Sequence, residues 1–148
     1  MHQILALWVH PRSISTGFER IFIERGDFNV LHEPFSALYY VYEKRVDCPG
    51  QHIDPNAPMS YPDIKNWILR ESKKSPVFFK DMCYHPFDHV IKDSEFIKRM
   101  TNTFLIRNPE KTVLSNYVMN PDVTSEEIGI ELEYMLFMKV KEITGETP

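Results

Sequence analysis

Cysteine is scarce in this sequence, which holds only Cys48 and Cys83. They stand far apart and outside any C-x-x-C spacing, which disfavours both a disulfide framework and a thiolate metal site. Long apolar runs are missing too. The apolar start from Ile4 to Val9 is too short for a secretory signal and is interrupted by His10-Pro11-Arg12, and no run approaches a membrane span. Blocks of like charge are also absent. Seventeen Lys and Arg against 21 Asp and Glu leave a net charge of −4, which argues against a protein that wraps nucleic acid by counterion release. These absences imply a soluble, unprocessed, cytoplasmic chain with neither a membrane nor a nucleic acid as partner.

What is present is the composition of a folded domain. Apolar residues make up 43% and charged residues 26% of 148, which excludes a disordered or low-complexity chain and fits one domain over 1–148 with a real core. Ile4-Leu5-Ala6-Leu7-Trp8-Val9 reads as a strand covered on both faces. Phe18, Ile21 and Phe22 then mark a helix from Ser13 to Arg25, with Ser or Thr at its start and Gly26 past its end. Phe28 to His32 reads as a second strand, Val77-Phe78-Phe79 as a third and Thr103 to Ile106 as a fourth.

Between and after the strands the pattern predicts helices. The aromatic-rich stretch 34–45 is read as helical, 48–58 as a loop, and 62–73 as a helix opened by Pro62 with Ile64, Trp67 and Ile68 on one face. The stretch 86–100 is irregular or helical. Asn108-Pro109 looks like an N-cap and first turn of a helix reaching Met119, and Thr124-Ser125-Glu126-Glu127 has the form of a capping box. The helix after it carries Ile128, Leu132, Met135, Leu136, Val140 and Ile143 on one stripe, and Ile130, Tyr134, Phe137 and Met138 beside it. Short apolar strands alternating with helices specify an α/β domain with a largely parallel sheet.

Ligands of such folds bind beyond the carboxyl ends of the strands. There the sequence places His10-Pro11-Arg12-Ser13, His32-Glu33, Lys80-Asp81 and Arg107-Asn108, a set that favours an anionic ligand. Strand one, then Pro11-Arg12-Ser13-Ile14-Ser15-Thr16-Gly17, then a helix is an arrangement that cradles a phosphate with backbone N–H groups and hydroxyls. The motif G-x-x-x-x-G-K-[ST] is absent, which disfavours an ordinary ATP or GTP hydrolase.

The turn Pro11-Arg12-Ser13-Ile14-Ser15-Thr16 resembles the 5′-phosphosulfate loop of sulfotransferases, and Arg107 followed by Ser115 resembles the pair that holds the donor's 3′-phosphate in that family. The resemblance implies a P-loop-NTPase-like three-layer sandwich with a mostly parallel sheet of at least four strands. It implies 3′-phosphoadenosine 5′-phosphosulfate as donor and no metal. By the same resemblance Arg12, Ser13, Ile14, Ser15 and Thr16 would hold the 5′ end, and Arg107 and Ser115 the 3′ end. The bland alternative is an arginine paired with a surface carboxylate and a serine on a solvated face.

Sulfuryl transfer needs a base for the acceptor and a cation for the leaving oxygen. Glu33 resembles the glutamate base of some branches, and Lys80 the lysine near the bridging oxygen; Glu33 could instead only hold Arg12 or Lys80 in place. Histidine is the base in another branch, two residues after the lysine, where this sequence has Met82. His85 lies three residues further and reaches the site only if the loop bends back. His85 and His89 have i, i+4 spacing, but no third metal ligand is evident.

Family members continue past the point where 144–148 end, so the resemblance implies a shortened protein or a wall supplied by another subunit. The competing functions are a divergent P-loop phosphotransferase or kinase and a truncated, non-catalytic nucleotide-binding protein. A small-molecule or carbohydrate acceptor is expected, with its pocket in variable loops such as 47–62. The double apolar stripe of the last helix predicts a homo-oligomer.

Overall fold

The computed structural model describes residues 1–46 and 56–148. Ile4–Val9 forms strand β1, and its side chains alternate between two separate apolar clusters. Ile4, Ala6 and Trp8 enter one; Leu7 and Val9 enter the other, with Leu5 packed against it. A strand covered on both faces requires this alternation. Strands β2 (Asn29–His32), β3 (Val77–Met82) and β4 (Thr101–Leu105) complete a four-stranded parallel sheet in the order β2-β3-β1-β4. The fold is α/β, as the alternation of strands and helices predicts.

Seven α-helices among the described residues flank the sheet: α1 (Ser15–Arg25), α2 (Tyr61–Glu71), α3 (Phe87–Val90), α4 (Ser94–Arg99), α5 (Pro109–Met119), α6 (Ser125–Ile128) and α7 (Ile130–Thr144). The larger cluster packs Ile64 and Ile68 of α2, Phe96 and Ile97 of α4, and Leu136 and Val140 of α7 against the Trp8 face. On the opposite face Phe22 of α1 stacks on Phe78 of β3, ring centroids 3.9 Å apart. Each fully buried side chain of this size contributes about 1.5–3 kcal/mol, so the face under α2, α4 and α7 carries more of the stability than the face under α1. Trp8 is buried without a polar penalty because its Nε1 donates to Asn102 Oδ1 at 2.9 Å. The Asn102 amide in turn donates to the Ile97 and Met100 carbonyls.

Several elements differ from the sequence reading, each for a physical reason. Strand β3 runs on through Lys80, Asp81 and Met82, with Lys80 opposite Leu7 on one side and His32 on the other. The apolar run ends at Phe79, but pairing continues because Glu33 and His85 satisfy the two charges. Strand β4 starts at Thr101, since Asn102 points to Trp8 rather than to solvent, and Ile106 falls outside it. Of the stretch 34–45 only residues 36–42 are helical, with Leu38–Tyr42 a π-turn closed by Glu43 N–H on the Leu38 carbonyl. Helix α2 is capped by Ser60, whose Oγ accepts from Asp63 N–H, with Pro62 in the first turn. The capping box of Thr124 and Glu127 is formed, but its helix is only α6; Gly129 at φ 75° separates it from α7.

Along α7 the buried positions are Glu133, Leu136 and Val140, while Met135 of the expected main stripe is exposed. Phe137 of the second stripe packs edge-on against Phe104 of β4. Tyr134 and Met138 remain exposed. Among the described residues no helix is long and apolar enough to cross a membrane. Cys48 and most of the expected loop at 48–58 lie outside the described residues.

Candidate active site

The turn from β1 into α1 is held in an unusual backbone conformation. Arg12 has φ 64° and Ile14 φ 69°, and a β-branched residue in the left-handed region is a genuine outlier. Ile14 occupies the N-cap of α1 and no side chain caps the helix, contrary to the expected Ser or Thr cap. Side-chain capping uses an extended N-cap backbone, which Ile14 does not have. Ser13 Oγ, one of the hydroxyls expected at this loop, is buried and has no hydrogen-bond partner. An uncapped helix start, a strained turn and an orphaned hydroxyl together suit an anion.

The end of β4 meets this turn. Arg107 donates from its guanidinium to the Arg12 carbonyl at 2.7 Å, and Arg12 Nε donates to Ser115 Oγ of α5 at 2.9 Å. Arg12, Arg107 and Ser115 therefore form one cluster, although Ser115 pairs with Arg12 rather than with Arg107. A cavity of about 370 Å³ opens beside them, lined by Arg12, Ile14, Ser15, Thr16, Met82 and Arg107. The neighbouring strand ends supply the rest. Glu33, just past β2 and also at positive φ (42°), accepts from Lys80 Nζ at 2.5 Å. Lys80 is buried. Burial pushes the Glu33 pKa up, but the Lys80 bond and charge, with His85 and His32, outweigh it and hold the carboxyl below its ordinary value.

His85 stands elsewhere from where a base two residues after Lys80 would. It is buried against Asp81, Nδ1 to Oδ1 2.6 Å, and its Nε2 has no partner. Asp81 Oδ2 also accepts from the Phe35 N–H at 2.6 Å, so this carboxylate ties the turn that follows Glu33 to the ring of His85. Burial raises the Asp81 pKa. Tyr39, Tyr40 and Tyr84 pack around the imidazole. His89 pairs instead with Glu43 at 2.6 Å, so the two histidines of the i, i+4 pair have separate carboxylate partners. A second cavity, of about 260 Å³, is walled by Arg45, Tyr84, His85, Phe87, Glu126 and Glu131.

A family model described as a sulfotransferase domain matches residues 2–147. The chain belongs to the sulfotransferase domain family. A search of curated proteins finds no match. Membership in the sulfotransferase domain family makes the chain a transferase by family. Four non-glycine residues have positive φ among those described, and three of them are Arg12, Ile14 and Glu33. Each such residue costs about 1–3 kcal/mol and persists only where the surroundings impose it.

Two buried groups of this chain escaped the sequence reading. His10 appears there only as part of a strand end, and Glu133 not at all. Both are buried, with His10 Nε2 3.9 Å from Glu133 Oε2. Glu133 Oε1 lacks a partner, and burial pushes its pKa up to about 8. Only the register of Glu133, one turn before Leu136 and two before Val140, could have signalled its burial.

Proposed function

We propose that the protein transfers a sulfuryl group from 3′-phosphoadenosine 5′-phosphosulfate to a hydroxyl or amine of a small-molecule or carbohydrate acceptor. The observation that carries this reading is the convergence of Arg12, Arg107 and Ser115 on one strained turn, since two phosphate-bearing ends of one nucleotide need two separate cationic groups. Arg12 with Ser13, Ile14, Ser15 and Thr16 holds the 5′ end, and Arg107 with Ser115 the 3′-phosphate. Lys80 neutralises the oxygen that leaves with the 5′-phosphate when its bond to sulfur breaks. Glu33 takes the acceptor proton as the acceptor atom bonds to sulfur. It is half-buried beside Lys80, whereas His85 is enclosed.

One observation favours a second base: the unpartnered Nε2 of His85, whose ring is oriented by Asp81 and forms part of the wall of the 260 Å³ cavity. On that second assignment the cavity receives the acceptor, and the homo-oligomer expected from α7 remains part of the proposal. Calorimetric titration with adenosine 3′,5′-bisphosphate, and with ATP in the presence and absence of magnesium, tests the donor. Tight binding of the bisphosphate without magnesium supports the reading. Preference for magnesium–ATP overturns it in favour of a phosphotransferase.

A further inference from the structure

His10 touches both halves of the donor site at once. Its Nδ1 lies 3.0 Å from the Pro11 carbonyl oxygen, and its Nε2 lies 3.3 Å from the backbone nitrogen of Arg107. The carbonyl can only accept and the backbone N–H can only donate. The two contacts therefore require one form of the ring: neutral, with the proton on Nδ1 and the lone pair on Nε2. The ring is fully buried, and burial holds its pKa below the ordinary histidine value, with the Arg107 charge acting the same way.

The contact continues into the next residue. The Arg107 guanidinium donates to the Arg12 carbonyl at 2.7 Å, so two consecutive carbonyls of the turn are held, that of Pro11 by the neighbouring His10 ring at the end of β1 and that of Arg12 from the β4 side. These clamps bracket Arg12, which stands at φ 64°, a conformation that needs an external hold. Behind the ring, Gly129 packs so closely that a Cβ there would lie 3.2 Å from Tyr84 and 3.7 Å from His10 Cβ. The start of α7 thus lies beside the base of the His10 side chain.

We propose that His10 is a positioning residue that sets the spacing between the turn at Arg12 and the strand end at Arg107, and so makes the protein selective for a nucleotide bearing both 5′ and 3′ phosphates. The inference rests on the donor reading above in one respect, the assignment of Arg107 to the 3′-phosphate. A phosphate cradle that reads only one end would not need its two cations held in fixed register.

The test compares His10→Asn with His10→Gln. Asparagine places an amide near the Nδ1 position and keeps the Pro11 contact, while losing the acceptor for Arg107; glutamine reaches the Nε2 position and does the reverse. Calorimetry with adenosine 3′,5′-bisphosphate and adenosine 5′-phosphate, with circular dichroism as a check of folding, reads the result. For His10→Asn the bisphosphate should weaken by roughly 3- to 10-fold, the worth of one hydrogen bond, with the 5′-phosphate changed by less than about 2-fold. His10→Gln should weaken both nucleotides alike. A folded His10→Asn that binds both nucleotides as the wild type does, or weakens both equally, overturns the proposal.

Nitrogen NMR of the wild-type ring decides the matter where a variant does not fold. A neutral imidazole protonated on Nδ1 at pH 7 is expected, and an Nε2-protonated or charged ring overturns the clamp. Failure of the wild-type protein to bind the bisphosphate sinks the donor reading instead, because the ring tautomer is measured without any nucleotide.

Discussion

Glu33 and Lys80 are joined twice: the Glu33 N–H donates to the Lys80 carbonyl at 2.9 Å, and the Lys80 ammonium donates to the Glu33 carboxylate at 2.5 Å. The backbone bond fixes where the residue sits and the ion pair fixes where its carboxylate points. A buried lysine loses its partner at a cost of about 3–5 kcal/mol when the pair is broken by removing one member. Glu33→Gln keeps an oxygen acceptor for Lys80 while abolishing the base. It should leave the protein folded and still able to bind the bisphosphate, at a melting temperature lowered because buried Lys80 loses its counter-charge, and lower turnover by roughly two to four orders of magnitude. Turnover unchanged in Glu33→Gln but lost in His85→Asn would transfer the base role to the imidazole held by Asp81.

The 3′-phosphate assignment predicts a selective loss. Arg107→Ala should weaken adenosine 3′,5′-bisphosphate by roughly 10- to 100-fold, the range for hydrogen bonds to a charged group, and adenosine 5′-phosphate much less. Equal weakening of both would remove Arg107 from the 3′ end and leave it only its bond to the Arg12 carbonyl.

Glu133 gives a prediction about pH. Burial raises its pKa from 4.5 to about 8 in the folded protein, so the native state holds this proton more tightly than the unfolded chain. The unfolded chain releases it first, and stability should therefore fall as pH rises from about 4.5 to about 8, with the loss complete above that. Glu133→Gln removes this slope. The variant should be more stable than the wild type at pH 9, by roughly 1–3 kcal/mol for relief of a buried charged group, and equal to it near pH 4. Urea melts at the two pH values check this; a wild-type advantage at pH 9 would contradict it.

The outer face of α7 predicts association of two or more copies. Tyr134 is 63% and Met138 45% exposed, whereas Phe137 is engaged by Phe104 within the chain. Sedimentation at micromolar concentration should show an oligomer that Tyr134→Lys with Met138→Lys converts to a monomer of unchanged melting temperature. A wild-type monomer would show that these side chains need no partner.

Much of this site was readable from the sequence, and the parts that were not share a cause. Arg12 and Arg107 stood out as cations just past two strand ends that together favour an anionic ligand, and Ser115 through the resemblance of its spacing from Arg107 to the sulfotransferase pair; the structure gathers all three. Lys80 was placed one residue beyond its strand because the apolar run stops at Phe79; its true place inside β3 depends on Glu33, 47 positions away. Asn102 was left outside β4 for the same reason, its partner being Trp8, 94 positions away. Local periodicity treats a charge or an amide as a solvent-facing group. A polar residue satisfied by a distant partner therefore looks like a boundary, and His10 and Glu133 were overlooked on the same ground. The break at Gly129 was hidden by an apolar pattern that continues across it.

The central position of β1 has a consequence for how the chain is made. Leu5 lies opposite Phe78 on one side and Thr101 on the other, so this strand is synthesised long before either neighbour exists. At translation speeds the ~100 residues separating it from β4 take roughly 5 to 20 s to appear. During that interval an apolar segment with two open edges waits on the ribosome, and parallel pairing between such remote segments is intrinsically slow. The strand that anchors the finished sheet is thus the one most exposed to aggregation during its birth, and the protein's yield in a cell should depend more on holding chaperones than on the stability of its native state.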